Sequence, residues 1–575
     1  MKDNVSSIFC TPKSLGCWIL KLKFLYNPWV LLTTFVAIHL LITIFTVDYH
    51  LMNGQDYNYV HAFDVWQNPE NWEHDVEGSF DRNPYFVFST LNMWLPTVLH
   101  KITRIPLIWM FRLEFFLKPI VLLILLILIL RYFGFGNVAV STGVLLFAFY
   151  NFQIISINLA SYGVGIYNNY YGVNYFIVFF LALYAHLRKK IIVTYSLLAI
   201  GIFLHPIFGF QGLLFFAILS VAEKVDRKKV GIGFAITGAS LLAERYILSR
   251  VLRGVQRIDH STWWNIFQLN GHLNFPMKFP ELFVFYFVAL FLFTFCIWPH
   301  LESPKIKLML KSAWGLLFFA LLSYCLGYIL QNHVILKLGL LRSSIFVIFT
   351  FIIALGTLNI SKDKWRETTI GIPLFLVLLI LLFHTSSLKV GIISVVTIAI
   401  CFCLLRRLNL AMYLFLIASF LVCPVMKSVK VYHKNREVVQ LVQFVRENVP
   451  KEKVFLFWGG SPRGHIFRTL TKCQVIDPRR MGLAIYDESE SRYKDELHKL
   501  ECAGIDTSTI DSMTEVFRIA NQKIEATYPE ETILENFELG YSVDFLIIGK
   551  RLLPQEIHSM YENEKYAIIK INVSP

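Results

Sequence analysis

Charge is what this sequence has least of. Only 16% of its 575 residues are charged, against about 25% in a soluble globular chain. Cysteine is sparse as well: the nine present are scattered, with no CxxC and no ligand spacing, which excludes zinc modules and a disulfide-rich scaffold. Gly459-Gly460-Ser461-Pro462 lacks the Lys-Ser/Thr of a phosphate-binding loop, and no nucleotide-binding fingerprint accompanies it. Internal repeats and low-complexity tracts are missing too. What is there is apolar: 55% hydrophobic and 15% aromatic residues, with a mean hydropathy of +0.54. Disordered, fibrous and ordinary cytosolic classes are excluded. An α-helical polytopic membrane protein is left.

The formal net charge of +14 suggests nucleic acid until the charges are placed. Residues 427–575 carry 21 basic and 22 acidic residues, so the excess lies wholly in residues 1–426. There it falls between hydrophobic runs, where it reads as membrane topology. Nucleic acid is not a partner.

A span needs roughly 20 mostly apolar residues. Thirteen runs qualify or nearly so: 29–47, 110–130, 138–157, 174–187, 191–204, 207–222, 230–249, 281–299, 312–330, 340–358, 368–384, 388–405 and 408–426. The fifth and sixth are parted only by His205-Pro206, so 191–222 is either two spans or a re-entrant hairpin. Every second connection is basic: Lys21 and Lys23, Arg131, Arg188 to Lys190, Lys224 to Lys229, Lys305 to Lys311, Lys362 to Arg366, and Arg406-Arg407. The positive-inside rule puts these in the cytoplasm, the N-terminus with them and the tail outside. No small-residue cleavage site follows 29–47, so it reads as an anchor rather than a signal peptide. The expected domains are a transmembrane domain, 1–426, with a long first external loop, 48–109, and an extracytoplasmic α/β domain, 427–575. In that tail, 435–449 has helical spacing stopped by Pro450, and 454–460, 473–477, 543–549 and 566–573 read as strands. Cys473 and Cys502, its only cysteines, are either a disulfide or two free buried thiols.

Candidate chemistry lies on the external side. The first loop holds Asp48, Asp56, Asp64, Asp75 and Asp81, and its apolar stretch 84–100 suits a helix lying in the interface. Asp56 and Asp75 stand out because aromatic and apolar residues flank them. A carboxylate there can act as general base or hold a divalent metal ion. The ordinary alternative for any loop aspartate is a solvated side chain. Cations complement them at the outer ends of spans: Arg245 in run seven, Arg250 and Arg253 after it, Arg342 opening run ten, and His205 at an external turn. An ionisable residue at such depth is by default a functional hypothesis, and the guanidinium fork suits a phosphate. Against this, Arg245 can pair with Glu244 or snorkel, and His205 can simply cap a broken helix. Glu114 and Lys118, at i and i+4, read as a structural pair.

The long acidic first loop, about thirteen spans and the external α/β tail together resemble the GT-C superfamily of polyprenyl-phosphate-dependent membrane glycosyltransferases. His205-Pro206, Gly459 to Arg468 and Val475 to Arg479 also resemble a group of uncharacterised bacterial membrane proteins. The first resemblance implies a sugar transferred from a polyprenyl-(pyro)phosphate donor to a glycan, lipid or protein acceptor outside the bacterial inner membrane. It points to Asp56 or Asp75 as catalytic and to Arg245 or Arg342 as binders of the lipid phosphate. A transporter or flippase of a lipid-linked or anionic solute is the rival class, and a non-enzymatic assembly subunit a third. Cysteine introduced near Glu530 should react with an impermeant maleimide on intact cells. Labelling only after lysis would overturn the orientation.

Overall fold

The computed structural model of the protein describes residues 27–51, 60, 63, 91–151, 172–251, 256–269, 273–278, 280–357, 408–462, 464–479, 490–507 and 513–571. The chain divides into two compact units. One comprises Met1–Val47, Arg112–Glu244 and Phe275–Val429; the other comprises Asp48–Phe111, Arg245–Asn274 and Lys430–Pro575.

Before the tail the helices are α1 (Pro28–Leu51), α2 (Leu91–Thr103), α3 (Leu107–Tyr132), α4 (Asn137–Asn151), α5 (Gly172–Leu187), α6 (Ile191–Leu204), α7 (Pro206–Ala222) and α8 (Arg227–Val251). They continue as α9 (His260–Leu269), α10 (Pro280–Ile297), α11 (Pro304–Ile329), α12 (Ser344–Thr357) and α13 (Leu408–Asn448). Among the described residues four stretches are long and apolar enough to cross a membrane: Pro28–Val47, Leu107–Tyr132, Pro304–Ile329 and His333–Ala354. They make the chain an integral membrane protein. Runs 368–384 and 388–405 lie outside the described residues.

The polar groups of the first unit are paired. The expected pair forms, with Lys118 Nζ 3.1 Å from Glu114, and Asn174 Nδ2 donates to the same carboxylate at 2.7 Å. At the basic ends, three connections meet on one ring. Arg188, after α5, and Lys305, opening α11, lie 5.5 and 5.2 Å from the centre of Tyr132, the last residue of α3. Connections far apart in sequence but alike in charge therefore share one end of the unit. Between them the interior is apolar and rich in aromatics, with Phe179 against Phe346 at 4.8 Å and Phe176 against Phe349 at 5.0 Å.

One boundary differs from expectation. The last run and the tail helix, read as separate, are a single 41-residue helix, α13. No glycine or proline occurs between Lys427 and Lys434, so nothing stops it. Pro424 is accommodated inside it, and Ser428 Oγ donates to the Pro424 carbonyl at 2.8 Å. At 1.5 Å per residue the helix is roughly 60 Å long, about twice a bilayer core.

The second unit is built on a mixed sheet ordered β2-β1-β3-β5-β4: β1 (Val454–Phe457), β2 (Gln474–Ile476), β3 (Phe545–Gly549), β4 (Tyr561–Glu562) and β5 (Tyr566–Lys570). Its tail helices are α14 (Gly464–Thr471), α15 (Glu490–Cys502), α16 (Met513–Ala526) and α17 (Glu531–Tyr541). β1 pairs in parallel with β2 and β3, while β5 runs antiparallel to β3. The period of two sorts the β1 side chains. Val454 and Leu456 join a core with Leu500, Val516, Ile524 and Phe537 of α15 to α17. Phe455 and Phe457 meet Phe467 of α14 across the other face, at 5.0 and 5.1 Å.

Two further segments, Asp48–Phe111 and Arg245–Asn274, join this sheet domain. Asp259 caps α9, accepting from the Ser261 and Thr262 N–H groups at 2.8 and 3.0 Å. The Ser261 and Thr262 donors hold its carboxyl well below the usual carboxylate range. α9 buries Trp263, Ile266 and Phe267 and packs on α16. From the first loop, the Tyr49 carbonyl accepts from Asn435 Nδ2 at 2.7 Å. α2 leaves Leu95, Leu99 and Ile102 exposed along one stripe, the spacing of an apolar helix face. Three of the segments that the charge pattern assigns to one side thus belong to one unit, and another, Gln331 to Arg342, belongs to the first.

Of the two readings for the tail cysteines, free thiols is the one observed: Cys473 and Cys502 are both buried and unbridged. Burial pushes each thiol up to about 11, so neither offers thiolate at neutral pH. In the folded protein at pH 7.5 both should resist a maleimide for hours, and denaturant should expose both. Rapid native modification of either would contradict the packing.

Candidate functional site

α6 and α7 are parted by one residue, His205. Pro206 has no N–H to continue a helix and is preorganised to begin one. His205 is extended, with φ −157° and ψ 96°, and its Nδ1 accepts from the Phe208 N–H at 3.3 Å. The capping alternative is therefore the geometry found. The chain folds back tightly here: a Cβ on Gly209 would stand 2.6 Å from Ile202 Cα. Tyr175 of α5 fills a slot that Gly201 and Gly212 leave open.

A second element meets this hairpin. Gln211, buried in α7, donates from Nε2 to the Gly339 carbonyl at 3.0 Å. Gly339 has a left-handed backbone, φ +52°, which turns the chain into the short 3-10 segment Leu340–Ser343. That turn carries Arg342, only 5% exposed, and buries Ser343 and Ser344 beside it. The Arg342 charge lies close enough to act on His205. A cation, an imidazole, an amide and hydroxyls thus gather where an apolar bundle breaks its helices. Burying a guanidinium costs several kcal/mol unless hydrogen bonds and counter-charge offset it, which is why the position draws a functional reading. Chemically, a guanidinium fork with neighbouring donors suits a phosphoryl or carboxylate oxygen.

The sequence-predicted residues fall out unequally. His205 and Arg342 are brought together. Arg245 is exposed on α8, on the stretch that belongs to the second unit. Arg250 sits in the last turn of α8. Arg253, Asp56 and Asp75 lie outside the described residues. Sequence reading passed over Gln211, although an amide within the apolar run IFGFQGLLFF was the signal for it. It also left Arg479 without a role. Arg479 forks onto Asp477 at 2.8 and 3.0 Å and donates to the Ser461 and Pro462 carbonyls at 3.3 and 3.2 Å. It thereby clasps the loops after β1 and β2, the two segments whose sequences stood out as a motif.

No family model matches the chain, and no curated protein matches it. Among solved structures it is similar to ArnT from Cupriavidus metallidurans bound to undecaprenyl phosphate, with a TM-score of 0.45 and 11% identity over 94% of this chain and 98% of that one. It is similar to the same protein in the apo state, with a TM-score of 0.44 and 11% identity over 94% and 97%.

Gly209→Ala should lower the thermal stability of the purified protein by an overpacking cost of about 1–3 kcal/mol, since the clash is with backbone. Gly238→Ala on α8, where nothing lies within 4 Å, should leave the melting temperature unchanged or slightly raised. Equal behaviour of the two would refute the tight hairpin at His205.

Proposed function

We propose that the protein is a GT-C-type membrane glycosyltransferase that moves a sugar from a polyprenyl-phosphate or -pyrophosphate donor to an extracytoplasmic acceptor. The observation that carries this reading is Arg342, a guanidinium buried in the turn that Gln211 of the His205 hairpin holds through the Gly339 carbonyl. The charge pattern of the connections supports it by putting that turn near the outer membrane surface, the depth of a lipid phosphate head. The acidic composition of the first loop, with Asp56 and Asp75, supports it further.

In the reaction a loop aspartate, Asp56 or Asp75, takes the proton of the acceptor hydroxyl. The acceptor oxygen attacks the anomeric carbon from the face opposite the phosphate, and the anomeric C–O bond breaks. Its electron pair leaves on the phosphate oxygen, so configuration inverts. The charge left on the lipid phosphate is what Arg342 is placed to neutralise, a task for preorganised donors in a water-poor site. His205 keeps the hairpin end shaped around that head group, and Arg245, Arg250 and Arg253 are the further phosphate-binding candidates of the sequence. A divalent metal held by the loop carboxylates remains part of the proposal, as does the bacterial plasma membrane as location.

Binding of a polyprenyl-phosphate analogue to Arg342→Ala should weaken about ten- to a hundredfold, the worth of a charge-assisted hydrogen bond of roughly 1.5–3 kcal/mol. Lysine at that position should recover only part, keeping charge and losing the fork. Unchanged affinity in Arg342→Ala would reject the phosphate role and favour a transporter. Separately, Asp56→Asn or Asp75→Asn should abolish transfer with folding intact. Full transfer activity in both variants would remove the general-base assignment.

A further inference from the structure

The basic end of the first unit holds cations in a more definite arrangement than topology requires. Arg188 and Lys305 share the Tyr132 ring, at 5.5 and 5.2 Å from its centre, and Lys305 Nζ also donates to the Tyr132 hydroxyl at 3.1 Å. Arg188 is further held by the Tyr184 hydroxyl at 2.9 Å. A few residues away Lys307 and Lys311 share the Trp298 ring, at 5.8 and 5.4 Å. Four cations are therefore fixed in pairs on two aromatic rings. Among the described residues no carboxylate forms an ion pair with any of the four. Glu223, at the same end, is engaged by His186 at 3.0 Å. Two like charges on one ring repel each other, and cation–π attraction is modest at exposed sites. Something anionic completes such a cluster.

We propose that this end of α3, α5 and α11 is a binding site for the phosphate group of an anionic phospholipid of the cytoplasmic leaflet. The rings fit that ligand. Tyrosine and tryptophan settle at headgroup level with an apolar body toward the acyl chains, and the cations they hold then face the phosphate layer. The site lies at the basic helix ends, away from the His205–Arg342 turn in sequence and in charge character, and it does not depend on the transferase reading. It takes a lipid-borne phosphate rather than a free one, because both rings offer apolar surface that only a membrane lipid can cover.

The test uses full-length protein in neutral detergent, titrated with phosphatidylglycerol, phosphatidylcholine or inorganic phosphate, and read by thermal shift and native mass spectrometry. Phosphatidylglycerol should raise the melting temperature and remain bound, with phosphatidylcholine giving neither effect. Arg188→Gln with Lys305→Gln should weaken phosphatidylglycerol binding about ten- to thirtyfold, given the usual gain per cation near an anionic surface. Lys307→Gln with Lys311→Gln is the second variant should the first fail to fold, with the same expectation. Lys550→Gln with Lys570→Gln, in the sheet domain, should bind as wild type does. Equal stabilisation by the two lipids, or full binding by both cation-depleted variants, would overturn the site. A shift with inorganic phosphate matching that with phosphatidylglycerol would overturn its assignment to lipid.

Discussion

Hydrocarbon donates no hydrogen bonds and solvates no charge, and the first unit is arranged around that one constraint. A helix there satisfies its backbone internally, so a polar side chain within it needs a partner of its own. His39, in the middle of a span, is satisfied in place instead: its Nε2 bonds the Phe115 carbonyl at 3.1 Å, and rings of Phe35 and Phe116 stack on it. Glu114, Lys118 and Asn174 likewise satisfy one another. Against that background a guanidinium beside an imidazole at a broken helix is costly, and the break itself is what frees donors and acceptors there. The tight return at Gly209 and the left-handed Gly339 are the backbone devices that bring the two helix ends into contact.

The helices were legible because lipid enforces composition directly. A run such as 119–130 has no polar residue, and a helix satisfies its backbone in a membrane. The tail strands were legible from short β-branched and aromatic runs, and the helix pair Glu114–Lys118 from spacing alone. What stayed hidden was set by distance in sequence. Gln211 and Gly339 are 128 residues apart, and nothing local announces their bond. The continuity of α13 was missed for a different reason: the polarity changes at Lys427 while the helix propensity does not. Composition marks a membrane boundary, and it does not mark a helix end.

The candidate site was legible in part for the same reason. Arg342 and His205 stood out as ionisable residues at span ends, and their proximity needed the fold. Arg245 stood out on identical grounds, yet it is exposed on α8, because depth along a helix says nothing about which way a side chain faces. The loop after β1 was visible as an unusual string of glycine, serine and proline. Its partner, Arg479, became meaningful only once β1 and β2 lay side by side, since the guanidinium reaches the Ser461 and Pro462 main-chain carbonyls of the neighbouring loop.

The unbridged sulfurs of the sheet domain bear on biogenesis. A domain cross-linked by disulfides relies on oxidants, and its folding then waits on their supply. Here the two cysteines are occupied as small apolar fillers, Cys473 near the Pro450 carbonyl and Cys502 near that of Asn536. No bond between these two sulfurs has to be formed, and none is lost to a reductant. The packing of the sheet domain is thereby independent of the redox state of its surroundings.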